Sequence, residues 1–286
     1  MPVADCRRTS LSAWTVAGAA GLAVLLAHAA AWPPVCHAEP AGREPFRVES
    51  EVFVNGATEP VARSLTLFRD GVAWDFLEPA AAGRADAVAG EIVLHDPARE
   101  RVVLVDPRRN VKTQIDTIRL ERLSVSLASW ARRSDDSLVR WAGGPDFGEG
   151  MTESDDLIEL VGPRVRYAVG FAAPPTPEAA AVYRRFADTA ILLKALVRPG
   201  GLPPFPRLAI NRRLAAAGGI PTEVSLEIDA RMTIVPGRAD TLRSVHRFHP
   251  RLLADDLARI EEAESRVAVA EPVELADFAG PSADAK

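Results

Sequence analysis

The chain has 286 residues, 48% of them hydrophobic and 26% charged, which excludes a disordered protein and is enough apolar material for a sizeable core. Its formal net charge of -5 excludes a general nucleic-acid binder, because phosphate backbones are held by basic surfaces. Lysine occurs only at Lys112, Lys194 and Lys286, and the abundance of arginine and alanine reads as coding bias rather than as a binding signal.

Arg7 and Arg8 precede an uncharged run from Leu11 to Trp32, the order of a secretory signal. Cleavage is expected after Ala38, with Ala29-Ala30-Ala31 as the other candidate site. The alternatives are an uncleaved anchor, a lipid on Cys36 and a twin-arginine signal. Ser12, Thr15 and His28 weigh against a spanning helix; Pro33-Pro34-Val35 lacks the residues that precede a lipidated cysteine; and Thr9-Ser10 stands where a twin-arginine signal wants a large apolar residue nearby. Cys6 and Cys36 are the only cysteines, and both fall in the segment removed. The mature chain then has no disulfide, no thiolate metal site and no cysteine nucleophile, and its net charge is -6. A periplasmic or secreted location follows, with membrane contact through the N-terminal segment or only in passing. No internal linker forces a split, so residues 39–278 read as one domain, with a disordered tail at 279–286.

Phe46 to Val54 alternates as a half-buried strand does and ends at Asn55-Gly56. Ser64 to Leu77 carries two β-rich runs around Asp70-Gly71, a dipeptide that accepts the positive φ of a tight hairpin turn. His95-Asp96-Pro97 and Val105-Asp106-Pro107 punctuate the next apolar runs, so Ser64 to Ile115 predicts an antiparallel meander of about five strands. Val72, Trp74 and Phe76 share one face of the second hairpin strand, opposite Ala73 and Asp75; the stripe is either ordinary core or the lining of an apolar site. From Ile118 to Arg132 the period lengthens to that of a helix, with Leu120, Leu123, Leu127 and Trp130 on one side. Asp135-Asp136 is a solvated or helix-capping pair, and the glycines at Gly143-Gly144 and Gly148 to Gly150 mark a loop with too little basic character to bind phosphate. A second hairpin turns at Gly162-Pro163-Arg164. Pro177 opens a helix whose stripe is Val182, Phe186, Ala190, Leu193 and Val197, stopped at Pro199-Gly200-Gly201. A shorter helix runs from Arg207 to Ala217. Strands then resume: Glu223 to Ile228, and a third hairpin turning at Pro236-Gly237 between Met232–Ile234 and Leu242–Phe248. Pro250 opens a last helix carrying Leu253, Leu257, Ile260 and Val267.

Signs of catalysis are sparse. His246 and His249 lie three apart, but in a strand that spacing puts them on opposite faces and argues against a shared metal. Asp155-Asp156 and Asp255-Asp256 are adjacent in sequence, unlike an acid and base flanking a bond. The nucleophile elbow, the zinc H-E-x-x-H and the nucleotide fingerprint are all missing from the sequence.

An extended strand, the hairpin L-T-L-F-R-D-G-V-A-W-D-F, strands ending in H-D-P and V-D-P, helices, and Gly219-Ile220-Pro221 leading back into strands together resemble the lipoprotein-carrier (LolA-like) superfamily of exported bacterial proteins. The resemblance spans most of Phe46 to Phe248. It implies an α+β fold: one curved antiparallel sheet, an unclosed barrel of about nine or ten strands, with two or three helices packed on its concave face. The last helix and the long helical insertion between Pro174 and Gly219 depart from that pattern. The function it implies is non-enzymatic and cofactor-free: binding of a lipid, an acyl chain or a lipidated protein between sheet and helices, as a carrier or sensor. The expected lining is Val72, Trp74 and Phe76 from the hairpin with Leu123, Leu127 and Trp130 from the facing helix. The rival readings are an envelope scaffold that recognises a protein partner without lipid, and a secreted metal-dependent hydrolase using His246, His249 and one of the Asp pairs.

Overall fold

A computed structural model describes residues 44–78, 90–144, 146–197, 201–228 and 241–280. The N-terminal signal, both cysteines, the Pro236-Gly237 turn with the strand before it, Pro199-Gly200 and the tail beyond residue 280 lie outside the described residues. Residues 41–286 form one compact unit. The described elements in chain order are β1 (Phe46–Val54), β2 (Ala62–Arg69), β3 (Val72–Glu78), β4 (Ile92–Asp96), β5 (Arg101–Asp106), β6 (Val111–Asp116), α1 (Thr117–Arg132), α2 (Ser137–Ala142), β7 (Met151–Glu153), β8 (Leu157–Gly162) and β9 (Val165–Ala172). They continue with α3 (Pro177–Val197), α4 (Phe205–Ala216), β10 (Ile220–Ile228), β11 (Thr241–His249), α5 (Ala254–Val269), β12 (Glu271–Pro272) and α6 (Leu275–Ala279).

The five strands expected between Ser64 and Ile115 are β2 to β6. Asp70 and Gly71 both take positive φ, 53° and 78°, and Arg69 pairs with Val72, so the two-residue turn fixes the register that sets Thr66 against Asp75. A short 3-10 turn over Pro97–Arg99 joins β4 to β5, capped by the Asp96 carboxylate, which accepts from the Arg99 N–H. All the described strands form one sheet in the order β12-β6-β5-β4-β3-β2-β1-β11-β10-β9-β8-β7, open at both ends. The α+β class on a single open sheet is therefore as expected, with two corrections. The sheet has twelve strands among the described residues, and β12 pairs with β6 in parallel, so a two-residue parallel edge ends an otherwise antiparallel sheet.

The second correction concerns the helices. On one face, called inner here, Phe46, Val48, Phe68 and Ala73 pack against Ala179, Tyr183 and Phe186 of α3, while Val93, Val102, Leu104 and Ile115 pack against Leu120 of α1 and Leu193 of α3. α3 has 21 residues, about 31 Å at 1.5 Å per residue, long enough to cross from β1 to β6. α4 covers β8 to β10 through Ala209, Ile210 and Leu214. The alternate residues of the same strands point the other way: Leu67, Trp74, Phe76, Leu94, Val103 and Val105 meet Ile260 and Ala263 of α5. The last helix thus covers the outer face instead of joining α1, α3 and α4 on the inner one. It begins at Ala254, four residues past Pro250, because the Asp256 carboxylate accepts from the Leu253 N–H at 2.7 Å and caps it there. Leu253 and Leu257, expected on its buried stripe, are exposed, and Ile260 and Ala263 carry the packing.

From α5 the chain rounds the β6 edge. Glu271 N–H donates to Asn110 O and Val273 N–H to Lys112 O, after which Val273, Leu275 and Phe278 join the inner core. Arg109 donates to the carbonyls of Phe278 and Asp277 at 3.0 and 2.9 Å and fastens the end of α6.

Candidate functional site

The six residues expected to line an apolar site divide between the two faces. Trp74 and Phe76 are both 5% exposed and lie with the half-buried Val72 in the outer core under α5. Leu123 and Leu127 are half-buried on α1, and Trp130 is 57% exposed. α1 packs on the inner face through Leu120, so the structure does not bring the hairpin stripe and the α1 stripe to one space. The alternation of β3 is the cause: its two faces meet different helices, and the sequence alone gives no sign of which helix covers which.

What faces the hairpin stripe is α5. Beneath it, at the Phe76–Ile92 end of the β3–β4 pair, a cleft of about 280 Å³ opens, just short of the range of about 300–1,000 Å³ usual for ligand pockets. Phe76, Ile92, Pro107 and Ala263 supply its apolar wall, and Glu78, Glu91, Arg259, Glu262 and Arg266 its charged mouth. The Arg259 guanidinium sits over the Phe76 ring, 4.5 Å from its centroid, and reaches Glu78 at 3.5 Å; Arg266 pairs with Glu262 at 2.7 Å. Of the cleft residues, sequence reasoning found only Phe76. Nothing in the sequence marked the rest, because Ala263 is one of several alanines on α5.

The inner face holds a second unusual feature, a polar enclave. The Asp75 carboxylate accepts from the Thr66 hydroxyl at 2.7 Å, and burial pushes its pKa up to about 6, against the lowering effect of hydroxyls from Thr66 and Ser64. Across β1 and β11, His246 Nδ1 meets Ser50 Oγ at 2.9 Å and Nε2 meets Ser244 Oγ at 3.1 Å. Burial, assisted by Arg207, holds the His246 pKa down near 3, so the ring is neutral. Arg207 of α4 is itself depressed by burial, and its Nη1 is enclosed without a hydrogen-bond partner among the described residues. Asp188, raised by burial, is taken by Asn211 at 2.7 Å and Arg184 at 3.3 Å. Burial likewise pushes Tyr167 and Tyr183 up to about 12. The enclave's two titratable strand residues are held apart: both nitrogens of His246 are occupied by hydroxyls, and Asp75, bound to Thr66, is separated from it by two strands, β2 and β1.

His249, as its spacing predicts, points to the opposite face from His246, toward Glu49 at 3.5 Å. Among the described residues no group of three or more His, Cys, Asp or Glu side chains is placed to hold a metal ion, and no helix is long and apolar enough to cross a membrane. Asp136 caps α2 by accepting from Leu138 and Val139 N–H, and Asp256 caps α5 while pairing with Arg47 at 3.5 Å, so one member of each of these acidic pairs is structural.

No family model matches the chain, and no curated protein matches it. Among solved structures it is similar to a LolA superfamily protein from Nitrosomonas europaea, with 10% sequence identity and a TM-score of 0.25 over 74% of this chain and 88% of that one. A likeness of that size does not place the chain in a family.

Proposed function

We propose that the protein is an exported cell-envelope protein that binds an apolar chain, an acyl chain or a lipidated partner, between its open sheet and a covering helix, without catalysis. The observation that carries the reading is the cleft of about 280 Å³ under α5, walled by Phe76, Ile92 and Ala263 and continuous with the core that holds Val72 and Trp74. Of the lining expected from the sequence this cleft keeps Phe76 alone, and α5 stands in place of α1. Apolar area withdrawn from water drives such binding at roughly 25 cal/mol per Å², and the charged mouth leaves a polar head in solvent. The order of hairpin, strands, helices and returning strands, and its resemblance to exported lipoprotein carriers, supports the location and the class of ligand.

The test is native mass spectrometry of the protein purified from its own host's envelope, with organic extraction of what accompanies it, beside an Ala263→Phe variant that fills the cleft. The reading expects a lipid or acylated species on the native protein and its loss from the folded variant. A clean apo mass for both contradicts it.

A second reading has its own observation. α1 leaves Trp130 exposed at 57% beside the half-buried Leu123 and Leu127 on the same helix face, an apolar strip suited to a protein partner. An apo mass together with a stable envelope complex that is lost in Trp130→Asp favours that scaffold or sensor role.

A further inference from the structure

Leu120 seats α1 on the inner core and so turns the opposite side of the helix to solvent. At helical spacing that side holds Ile118, Arg122, Val125 and Arg132 in one row and Arg119, Trp130 and Arg133 in the next, all of them exposed. None of the four guanidiniums has an ion pair or a hydrogen bond among the described residues, whereas Arg164, Arg166, Arg213, Arg247 and Arg266 each hold a carboxylate. The neighbouring carboxylates, Asp116, Glu121 and Asp135, stand outside the two rows. The same sign runs through the layer to which α1 belongs. α1, α3 and α4 together carry nine basic residues against three acidic ones, while α5 on the outer face carries two against five.

A protein-docking patch gathers its apolar residues at the centre and leaves charge to the rim. Here Ile118 and Val125 are parted from Trp130 by arginines, which suits a lipid interface instead: guanidiniums meet headgroup phosphates, and tryptophan and aliphatic side chains settle at the level just beneath. We propose that α1 docks the protein on an anionic lipid surface, with Arg119, Arg122, Arg132 and Arg133 on the headgroups, Trp130, Ile118 and Val125 inserted between them, and the acidic α5 turned away. The proposal is independent of the cleft under α5.

The test uses the chain from Glu39, the form expected after cleavage, which holds the whole compact unit of residues 41–286. Without Trp14 and Trp32, its tryptophans are Trp74 in the core, the half-buried Trp141 and the exposed Trp130, so quenching by lipids brominated in the chain reads Trp130. Vesicles of phosphatidylcholine, with and without about 30% phosphatidylglycerol, are the probe. Binding and quenching are expected on the anionic vesicles alone and weaken as salt is raised. Arg119→Gln with Arg122→Gln is expected to lower the partition about thirtyfold, two basic residues at the usual scale for a charged membrane surface. Arg108→Gln with Arg251→Gln, at two exposed arginines away from α1 that also lack an ion pair among the described residues, is expected to leave it unchanged. Trp130→Ser is expected to abolish the quenching while keeping the salt dependence. Equal partition to neutral and anionic vesicles overturns the proposal, as does an equal loss in the two arginine pairs. No vesicle binding, together with an envelope protein complex that Trp130→Asp destroys, overturns it in favour of a protein partner on this helix.

Discussion

The buried polar residues of the inner face set how this protein responds to pH. The Asp75 carboxyl has a pKa of about 6 in the fold against an ordinary value of 3.8, so protonation favours the folded state; that stabilisation is complete below about pH 4 and is lost as pH rises through 6. Asp75→Asn keeps an acceptor for the Thr66 hydroxyl and removes the buried charge. It is expected to raise the melting temperature at pH 8 by a few degrees, on the order of 1 kcal/mol, and to change little at pH 3.5; a lower melting temperature at pH 8 contradicts it. His246 and His95 work in the opposite sense. Burial holds them near 3 and 4, so their contribution is complete above about 6.5 and is lost as pH falls through those values. Arg207 is a buried cation whose Nη1 has no hydrogen-bond partner among the described residues, and a buried charge left without a hydrogen bond costs stability. Arg207→Met is therefore expected to increase the urea midpoint, and a decrease shows that the guanidinium is satisfied in solution. Asp75 was within reach of the sequence: a two-residue turn at Asp70-Gly71 already sets it against Thr66 on the face that bears Ala73. Arg207 was not, since nothing in an alternating helix stripe distinguishes an arginine that turns inward.

At the scale of elements, local chemistry is legible wherever a turn or a cap decides it. Asp70-Gly71 demanded a hairpin, Pro177 opened α3, and Gly218, with φ 68°, closes α4. Gly71→Val puts a branched side chain at φ 78° and is expected to cost about 1–2 kcal/mol in equilibrium unfolding; an unchanged midpoint shows that the turn can rearrange. What could not be read was which helix covers which face, because α1 and α5 are both amphipathic and β3 is buried on both sides. That ambiguity separated the two halves of the expected lining, and it predicts opposite outcomes for its two tryptophans. Trp74→Asp buries a charge at a position 5% exposed and is expected to unfold the protein, whereas Trp130→Ser, at 57% exposure, is expected to change stability by less than about 0.5 kcal/mol. Equal effects of the two, read by circular dichroism and urea titration, contradict the placement of one stripe in the core and the other at the surface.

For the whole molecule, an open sheet must protect two edges. β7 keeps one edge to three residues, two of them exposed, and the strap of β12 and α6 covers β6 at the other while carrying Phe278 into the inner core. Removing residues 271–286 is expected to free the β6 edge and to produce concentration-dependent self-association in sedimentation; a monomer of undiminished stability contradicts that role. The strap and α5 form one continuous C-terminal segment over the outer face and the β6 edge, and the cleft beside Phe76 and Ala263 lies under that segment. The most direct measurement is a nuclear Overhauser experiment on the full chain carrying labelled Ala, Ile and Leu methyl groups, with the single-chain alcohol decanol as ligand. The account predicts contacts from the alkyl chain to the methyl groups of Ala263 and Ile92. Contacts to Leu123 and Leu127 of α1 instead would place the ligand on the inner face and contradict it.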